Sequence, residues 1–396
     1  MKRATIAGGG IAGMAAALGL ARAGWQVTVC EEAAVISEVG AGLQTSPNAA
    51  KVLRWLGVLD PVAATGFRPK VAEMRDGRTG ARIFSAPLGD RAEARWGAPY
   101  LHLHRADLLD ALTVAAQAAG AELRTGEKAT GYVLRPEGPA LKLESGPALE
   151  ADLLIGADGI RSVIRAQVNG PEAPEFSGQV AWRGTIRADR LPAGLVAPNA
   201  TVWGGTGRHL VTYYLRGGKL VNFVAVVERG AWTAEGWSTQ GDPDELRQSF
   251  QGWHPDVTRL LEHVDSTFLW GLFGRPEQVR WADGPVALIG DAAHPMLPFM
   301  GQGAAMALED VAVLVHALQG HDSVADAVLA YEQHRWPRVT RVQHRSRENG
   351  RFFHRRGGGG LTANWQLVSA VSALMPGFAA RQLDWLYGHD ATEGLG

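Results

Sequence analysis

The chain holds one cysteine, Cys30, in 396 residues, which excludes an internal disulfide and any multi-cysteine metal site. No metal site is expected, and so thiol-poor a chain fits a reducing, cytoplasmic setting. Neither sign of charge dominates: 39 Lys and Arg face 40 Asp and Glu, for a formal net charge of −1. That balance removes the global electrostatic case for nucleic acid or an anionic membrane as partner. Long hydrophobic runs are missing too. No apolar stretch reaches the ~18 residues of a membrane span without a glycine or a charge intruding. Lys2, Arg3 and the small apolar run to Ala21 imitate a secretion signal, but Gly8 to Gly10 break the run. There is no internal repeat.

Glycine, by contrast, is plentiful, with 50 copies, and three clusters of it end or open regular elements. They are Gly8-Gly9-Gly10-Ile11-Ala12-Gly13, Gly156-Ala157-Asp158-Gly159, and Gly290-Asp291 running on to Pro298-Phe299-Met300-Gly301-Gln302-Gly303. Around them the periodicity predicts a strand at Thr5–Ala7, a helix over Ile11–Ala23 closed by Gly24, and a strand at Val27–Cys30. A helix is predicted over residues 107–119, capped by Asp107. The short apolar runs Leu153–Ile155 and Val286–Ile289 read as buried parallel strands. Residues 176–279 are β-rich, with turns such as Arg216–Lys219. Helix returns from Gly303 to Leu318 and from Val324 to Arg347, then a break at Gly357–Gly360 precedes a helical tail.

Gly8-x-Gly10-x-x-Gly13 follows a strand and opens a helix. Gly8 allows the tight turn, Gly10 admits a pyrophosphate to the backbone, and Gly13 lets helix and sheet pack closely. The helix N-terminus turns unpaired N–H groups toward phosphate. Glu31, 18 residues after Gly13, stands where an acid holds adenosine ribose hydroxyls. Asp158 ends a buried strand beside a glycine, poised for a nucleotide, and Arg161 and Arg165 follow within reach of phosphates; the alternative is a capping aspartate with solvated arginines. Asp291 suits a ribityl hydroxyl. Pro298-x-x-Gly301-Gln302-Gly303 opens a helix whose positive end would face the flavin edge that turns negative on reduction. The three clusters together read as one FAD site, with NADH or NADPH as donor.

These segments resemble the single-component FAD-dependent aromatic monooxygenases of the para-hydroxybenzoate hydroxylase type. Gly40-Ala41-Gly42-Leu43-Gln44 with Pro47-Asn48, Trp182-Arg183-Gly184-Thr185 and Trp385-Leu-Tyr-Gly are most similar to salicylate and 3-hydroxybenzoate hydroxylases. The resemblance implies an α/β fold. A Rossmann-like FAD-binding domain (1–70, 100–175 and 280–345) carries an inserted antiparallel β-sheet substrate domain (71–99 and 176–279). A C-terminal helical extension (346–396) offers a face for a homodimer. It implies that Gly8, Gly10, Ala12, Gly13, Glu31, Arg105, Asp158, Asp291, Pro298, Gly301, Gln302 and Gly303 hold FAD, and that Asp158 also serves the nicotinamide donor. It further implies hydroxylation of a small phenolic ring by O2 through a flavin hydroperoxide.

For the substrate, His209-Leu-Val-Thr-Tyr213 is the candidate segment, because positions four apart on a strand share a face. The resemblance places a histidine and a tyrosine at this spacing beside the substrate phenol, His209 as base and Tyr213 as orienting group. Gln302 is a further candidate for contact with substrate or flavin. His294 reads as structural, and Trp203, Phe223 and Trp270 as walls of an aromatic pocket or as plain core. The arginines at 335, 338, 341, 345, 347, 351, 355 and 356 read as a solvated or interface face rather than a nucleic-acid patch. Two other functions stay open: the same chemistry on a larger quinone precursor, phenazine or antibiotic, and a catalytically silent flavin-binding regulator. No Trp-x-Trp-x-Ile-Pro segment supports a halogenase.

Overall fold

A computed structural model describes residues 1–35, 42–232, 239–275, 280–354, 360–375 and 377–395, with residues 360–364 described by their backbone only. Gly40, Ala41, the arginines at 355 and 356, and Gly357 to Gly359 lie outside the described residues. Two large sheets organise the chain. The first has six strands, ordered Ala282–Asp283, Val286–Leu288, Leu153–Gly156, Arg3–Ala7, Gln26–Glu31, Glu122–Thr125. All neighbours run parallel except the edge hairpin of the first two. Leu153, Leu154, Ile155, Val286, Ala287 and Leu288 are buried, as strands covered on both faces must be. Helix Ile11–Arg22 packs on helices Arg105–Ala118 and Gly303–Gly320 over this sheet.

The second sheet has eight strands, ordered Gln240–Gly241, Thr267–Gly274, Glu175–Arg187, Leu220–Glu228, Arg208–Leu215, Ala200–Gly205, Val71–Asp76, Arg82–Pro87. It departs from the expected antiparallel sheet at one seam, where Ala200–Gly205 pairs parallel with Val71–Asp76. The chain leaves this sheet after Pro87 and returns only at Glu175, so no tight turn dictates antiparallel pairing there. Gly42–Thr45 pairs with Leu101–His104 in a small ribbon.

Three other expectations are corrected. Helix Arg105–Ala118 starts two residues before Asp107, with His104 as its N-cap. The Asp107 carboxylate instead accepts from Arg216 Nε and Nη2 at 3.0 and 2.6 Å. The second long helix runs from Val324 to Phe353, past Arg347 and across the boundary expected at 345. On that helix Arg335 is fully buried and ion-paired, and Arg338 is mostly buried, so these two arginines are not a solvated face. None of the described helices is long and apolar enough to cross a membrane.

Candidate active site

The first two glycine clusters touch, and the reason is the absence of side chains. Gly8 holds φ +104°, and a Cβ there would lie 2.4 Å from the Ala157 carbonyl oxygen. A Cβ on Gly13 would fall 1.9 Å from the Gly8 carbonyl oxygen. The third cluster joins them through Gly290, whose Cβ position is 3.1 Å from that of Ala12. Glu31 closes the loop, accepting from the Gly9 N–H at 2.7 Å and the Ala33 N–H at 2.9 Å.

Around Gly10, Gly159 and Gly303 a Cβ would meet nothing within 4 Å. Open space therefore fronts the N-termini of helices Ile11–Arg22 and Gly303–Gly320, neither of which has an acid in its first turn. A pyrophosphate fits such an opening: N–H groups and positive dipole ends face it, and no carboxylate in those turns opposes it.

Asp158 does the capping work of the alternative reading. Its carboxylate accepts from Ser162 Oγ at 2.5 Å and from the Val163 and Ile164 N–H groups, and burial raises its pKa. Arg165 is buried and does not reach toward the opening; it donates to the Ala292 and Ala293 carbonyls at 3.3 and 2.8 Å and to Glu172. It is a strut that ties the second glycine cluster to the third. Arg161 and Asp291 are exposed and line one cleft of about 150 Å³, with Trp270, Pro295, Leu297 and Pro298. Thus Asp291 and Pro298 share a cavity wall, whereas Arg105 starts its helix, half-buried, beyond that lining.

The third cluster rests on a buried charge knot. Asp310 Oδ2 accepts from the Gly290 N–H at 3.0 Å and sits 2.5 Å from His294 Nε2, while Arg335 Nε meets Oδ1 at 2.8 Å. Glu309 takes Arg335 at 2.6 Å, Arg338 at 2.7 and 2.8 Å, and Asn48 Nδ2 at 2.7 Å. Burial alone would raise the Glu309 pKa, but the two guanidiniums override it and hold it at about 2. The pairs cancel two negative charges in the second turn of the helix, which would otherwise oppose its positive end. His294 is structural, as expected. Gln302 is buried in the same layer: its amide donates to Ser46 Oγ at 2.9 Å and accepts from Asn48 at 3.1 Å. Those bonds turn the side chain inward, toward Ser46 and Asn48.

The large sheet supplies the second component. His209 and Tyr213 lie on one face of strand Arg208–Leu215 and are both buried. Four residues of strand separate their Cα atoms by about 13 Å, so the two rings meet different neighbours. His209 packs on Phe299 and Phe353, each at 5.3 Å between centroids. Burial, then the neighbouring His354, push its pKa well below the ordinary value, so the ring is neutral. Tyr213 stacks obliquely on His102 at 4.6 Å, and a Cβ on Gly42 would come within 2.8 Å of its hydroxyl. Burial raises the Tyr213 pKa against the opposing charge of Arg183. The Nδ2 of Asn222, the cross-strand partner of Tyr213, is buried without a partner among the described residues, and the His102 ring is buried against the Tyr214 backbone. Unsatisfied polar atoms in such a place each cost roughly 1–3 kcal/mol, which points to a ligand or water.

Of the expected wall aromatics, only Trp270 lines the cleft, with Arg183 over its ring at 4.2 Å. Trp203 and Phe223 belong to a separate core with Phe250 and Leu260, behind helices Pro243–Ser249 and Pro255–Glu262. Sequence reasoning passed over His102, Arg183 as a buried cation, and the acids of the knot. The alternation in Leu101-His102-Leu103-His104 was a signal for buried histidines on a strand.

Comparison with known proteins agrees with this geometry. A family model described as FAD binding domain matches residues 2–346. The chain is 39% identical over 390 residues to 3-amino-4-hydroxybenzoate 2-monooxygenase of Streptomyces cremeus, covering 98% of this chain and 95% of that protein. It is 35% identical over 389 residues to 3-hydroxybenzoate 6-hydroxylase 1 of Aquipseudomonas alcaligenes, covering 98% of each. A solved salicylate hydroxylase substrate complex matches with a TM-score of 0.83 at 26% identity, over 99% of this chain and 96% of that one. The chain belongs to this FAD-binding family and is an FAD-dependent aromatic hydroxylase.

Proposed function

We propose that the protein uses NADH or NADPH and O2 to hydroxylate a small ring bearing both a hydroxyl and a carboxylate, of the aminohydroxybenzoate or 3-hydroxybenzoate kind. The observation that carries the reading is the buried His209–Tyr213 face with the unsatisfied Nδ2 of Asn222 beside Tyr213. FAD, held by the glycine clusters, Glu31, Arg105 and Asp291, supplies the two-electron chemistry that activates oxygen. The chain's own side chains prepare the ring. His209, kept neutral by burial, accepts the proton of the ring hydroxyl at Nε2, which makes the ring electron-rich at its ortho and para carbons. Tyr213, about 13 Å along the strand from His209 and kept protonated by burial, donates a hydrogen bond at the other end of the ring and orients it. Arg183, buried over Trp270, is the cation assigned to the carboxylate. Phe299 and Phe353 keep water from His209.

The division into FAD-binding, substrate-binding and C-terminal parts belongs to the same proposal, supported by which segments feed which sheet. Asp158 is assigned to the nicotinamide donor through the turn it holds rather than through a free carboxylate. Cys30 is buried and its thiol is pushed up to about 11, which suits a cytoplasmic enzyme without thiol chemistry. A homodimer through helix Gly360–Leu374, where Leu367 and Leu374 are exposed, completes the proposal; sedimentation measures it. The deciding experiment is NADH and NADPH oxidation by the FAD-loaded protein against aminohydroxybenzoates, hydroxybenzoates and hydroxynicotinates, with products identified by mass. Oxidation matched by hydroxylated product is expected. Oxidation yielding only hydrogen peroxide with every ring overturns the substrate class.

A further inference from the structure

The ring of His209 faces a second imidazole. His209 Nδ1 lies 2.6 Å from His354 Nε2, and His354 Nδ1 lies 3.3 Å from Glu228 Oε1. Both histidines are 1% exposed, whereas the Glu228 side chain is 34% exposed, so the three groups run from the interior to the surface. The path is built from separate elements. His209 lies on strand Arg208–Leu215, Glu228 ends the neighbouring strand, and His354 follows the last turn of helix Val324–Phe353. That helix end is seated on Gly204, whose Cβ would lie 3.0 Å from the Phe353 carbonyl oxygen.

We propose that His209, His354 and Glu228 form a proton relay that carries the substrate's hydroxyl proton from the buried site to solvent; this rests on the reading of His209 as its acceptor. The bonds balance without any oxidation or reduction. The ring O–H breaks, its electron pair stays on oxygen, and the proton joins His209 Nε2. The proton on His209 Nδ1 passes to His354 Nε2, and the one on His354 Nδ1 passes to the Glu228 carboxylate and then to water. Each imidazole gains one proton, loses one and ends in its other tautomer. When the hydroxylated product regains its O–H, the path runs backwards and both tautomers are restored. Gln179 Nε2 lies 3.4 Å from His354 Nδ1, and with the amide turned its oxygen accepts from the same N–H, leaving the direction of the relay intact. Among the described residues, Arg208 donates to the Ser249 carbonyl and Arg229 to Glu245.

The test mixes oxidised, FAD-loaded protein with 3-amino-4-hydroxybenzoate without oxygen, in weak buffer containing a pH-indicator dye, and follows phenolate absorbance and proton release together. In the wild type both are expected to rise at one rate. In His354→Gln, binding is expected within about 2-fold of wild type, while proton release slows by at least about 10-fold and recovers with added imidazole. Imidazole rescue separates a relay from a merely structural role. Glu228→Gln, at the surface, keeps the test open if His354→Gln does not fold, and is expected to slow release about 3-fold. Wild-type release rates in His354→Gln or in Glu228→Gln, with slow release in His209→Gln, overturn the relay alone. Unchanged release in His209→Gln, or no binding and no proton from the wild type, overturns the reading of the site and the relay with it.

Discussion

The two halves of the molecule build their parts of the site by opposite means. The parallel half works with backbone: Gly8, Gly13 and Gly290 let three chain segments close on one another, and helix N-termini present N–H groups to the opening. Its recognition elements lie within a few residues of one another in each segment. The large sheet works with side chains drawn from far apart. Gly42, His102, Tyr213 and Asn222 meet at one end of the strand face; Phe299, Phe353 and His354 meet His209 at the other. A cofactor common to a whole family is held by the part that tolerates least change, and the substrate by the part whose side chains can be exchanged singly.

Substitutions in each half should therefore fail differently. The largest effect is expected from Gly13→Val, whose side chain would overlap the Gly8 carbonyl. FAD affinity should fall by at least about 100-fold, measured by flavin retention after purification. Next comes Arg335→Met, which strands Glu309 and Asp310 without their shared partner. The expected loss is about 3–5 kcal/mol in a denaturant titration, with the Gly301–Gly303 turn loosened. Gly42→Ala presses on Tyr213 in the other half: KM for the aromatic ring should rise about 10-fold while FAD is retained. Equal loss of FAD in Gly42→Ala and Gly13→Val would erase the contrast between the halves.

The smallest effect concerns acid. Burial lowers the pKa of His102 to about 3 and of His389 to about 4, below the ordinary 6.5. The unfolded chain therefore takes up protons that the folded chain refuses, and stability is expected to decline as pH falls from about 6.5 toward 4. Glu309, held at about 2, acts lower still: its contribution is present above its ordinary 4.5 and is lost only as pH falls toward 2. A Tm that stays flat from pH 6.5 to 4.5 would contradict the histidine assignment, and His102→Asn should flatten part of the slope.

Much of the parallel half was legible in the sequence because its signals are local. Glycine spacing, the strand before it and the helix after it sit within a dozen residues; Glu31 reads as a ribose ligand, and its bond to the Gly9 N–H has no local signal. His209 and Tyr213 were legible as a pair on one strand face, but their partners were not. His354 is 145 residues from His209, and nothing local marks it. Arg335 and Arg338 read as surface because their partners, Glu309 and Asp310, lie on another helix some 25 to 29 residues earlier. Arg165 looked like a phosphate ligand because an arginine after a glycine-aspartate turn can serve either as ligand or as strut; only the Ala292 and Ala293 carbonyls decide it. The parallel seam between Ala200–Gly205 and Val71–Asp76 is a long-range pairing for which no turn residue speaks.

One comparison bears most directly on the division of labour: NAD(P)H consumed and hydroxylated product formed by wild type and His209→Gln, both loaded with FAD. The account expects the variant to keep FAD and still oxidise NAD(P)H, with product formation down by about 100-fold or more. Product formation at the wild-type rate would contradict the placement of the substrate chemistry on the large sheet.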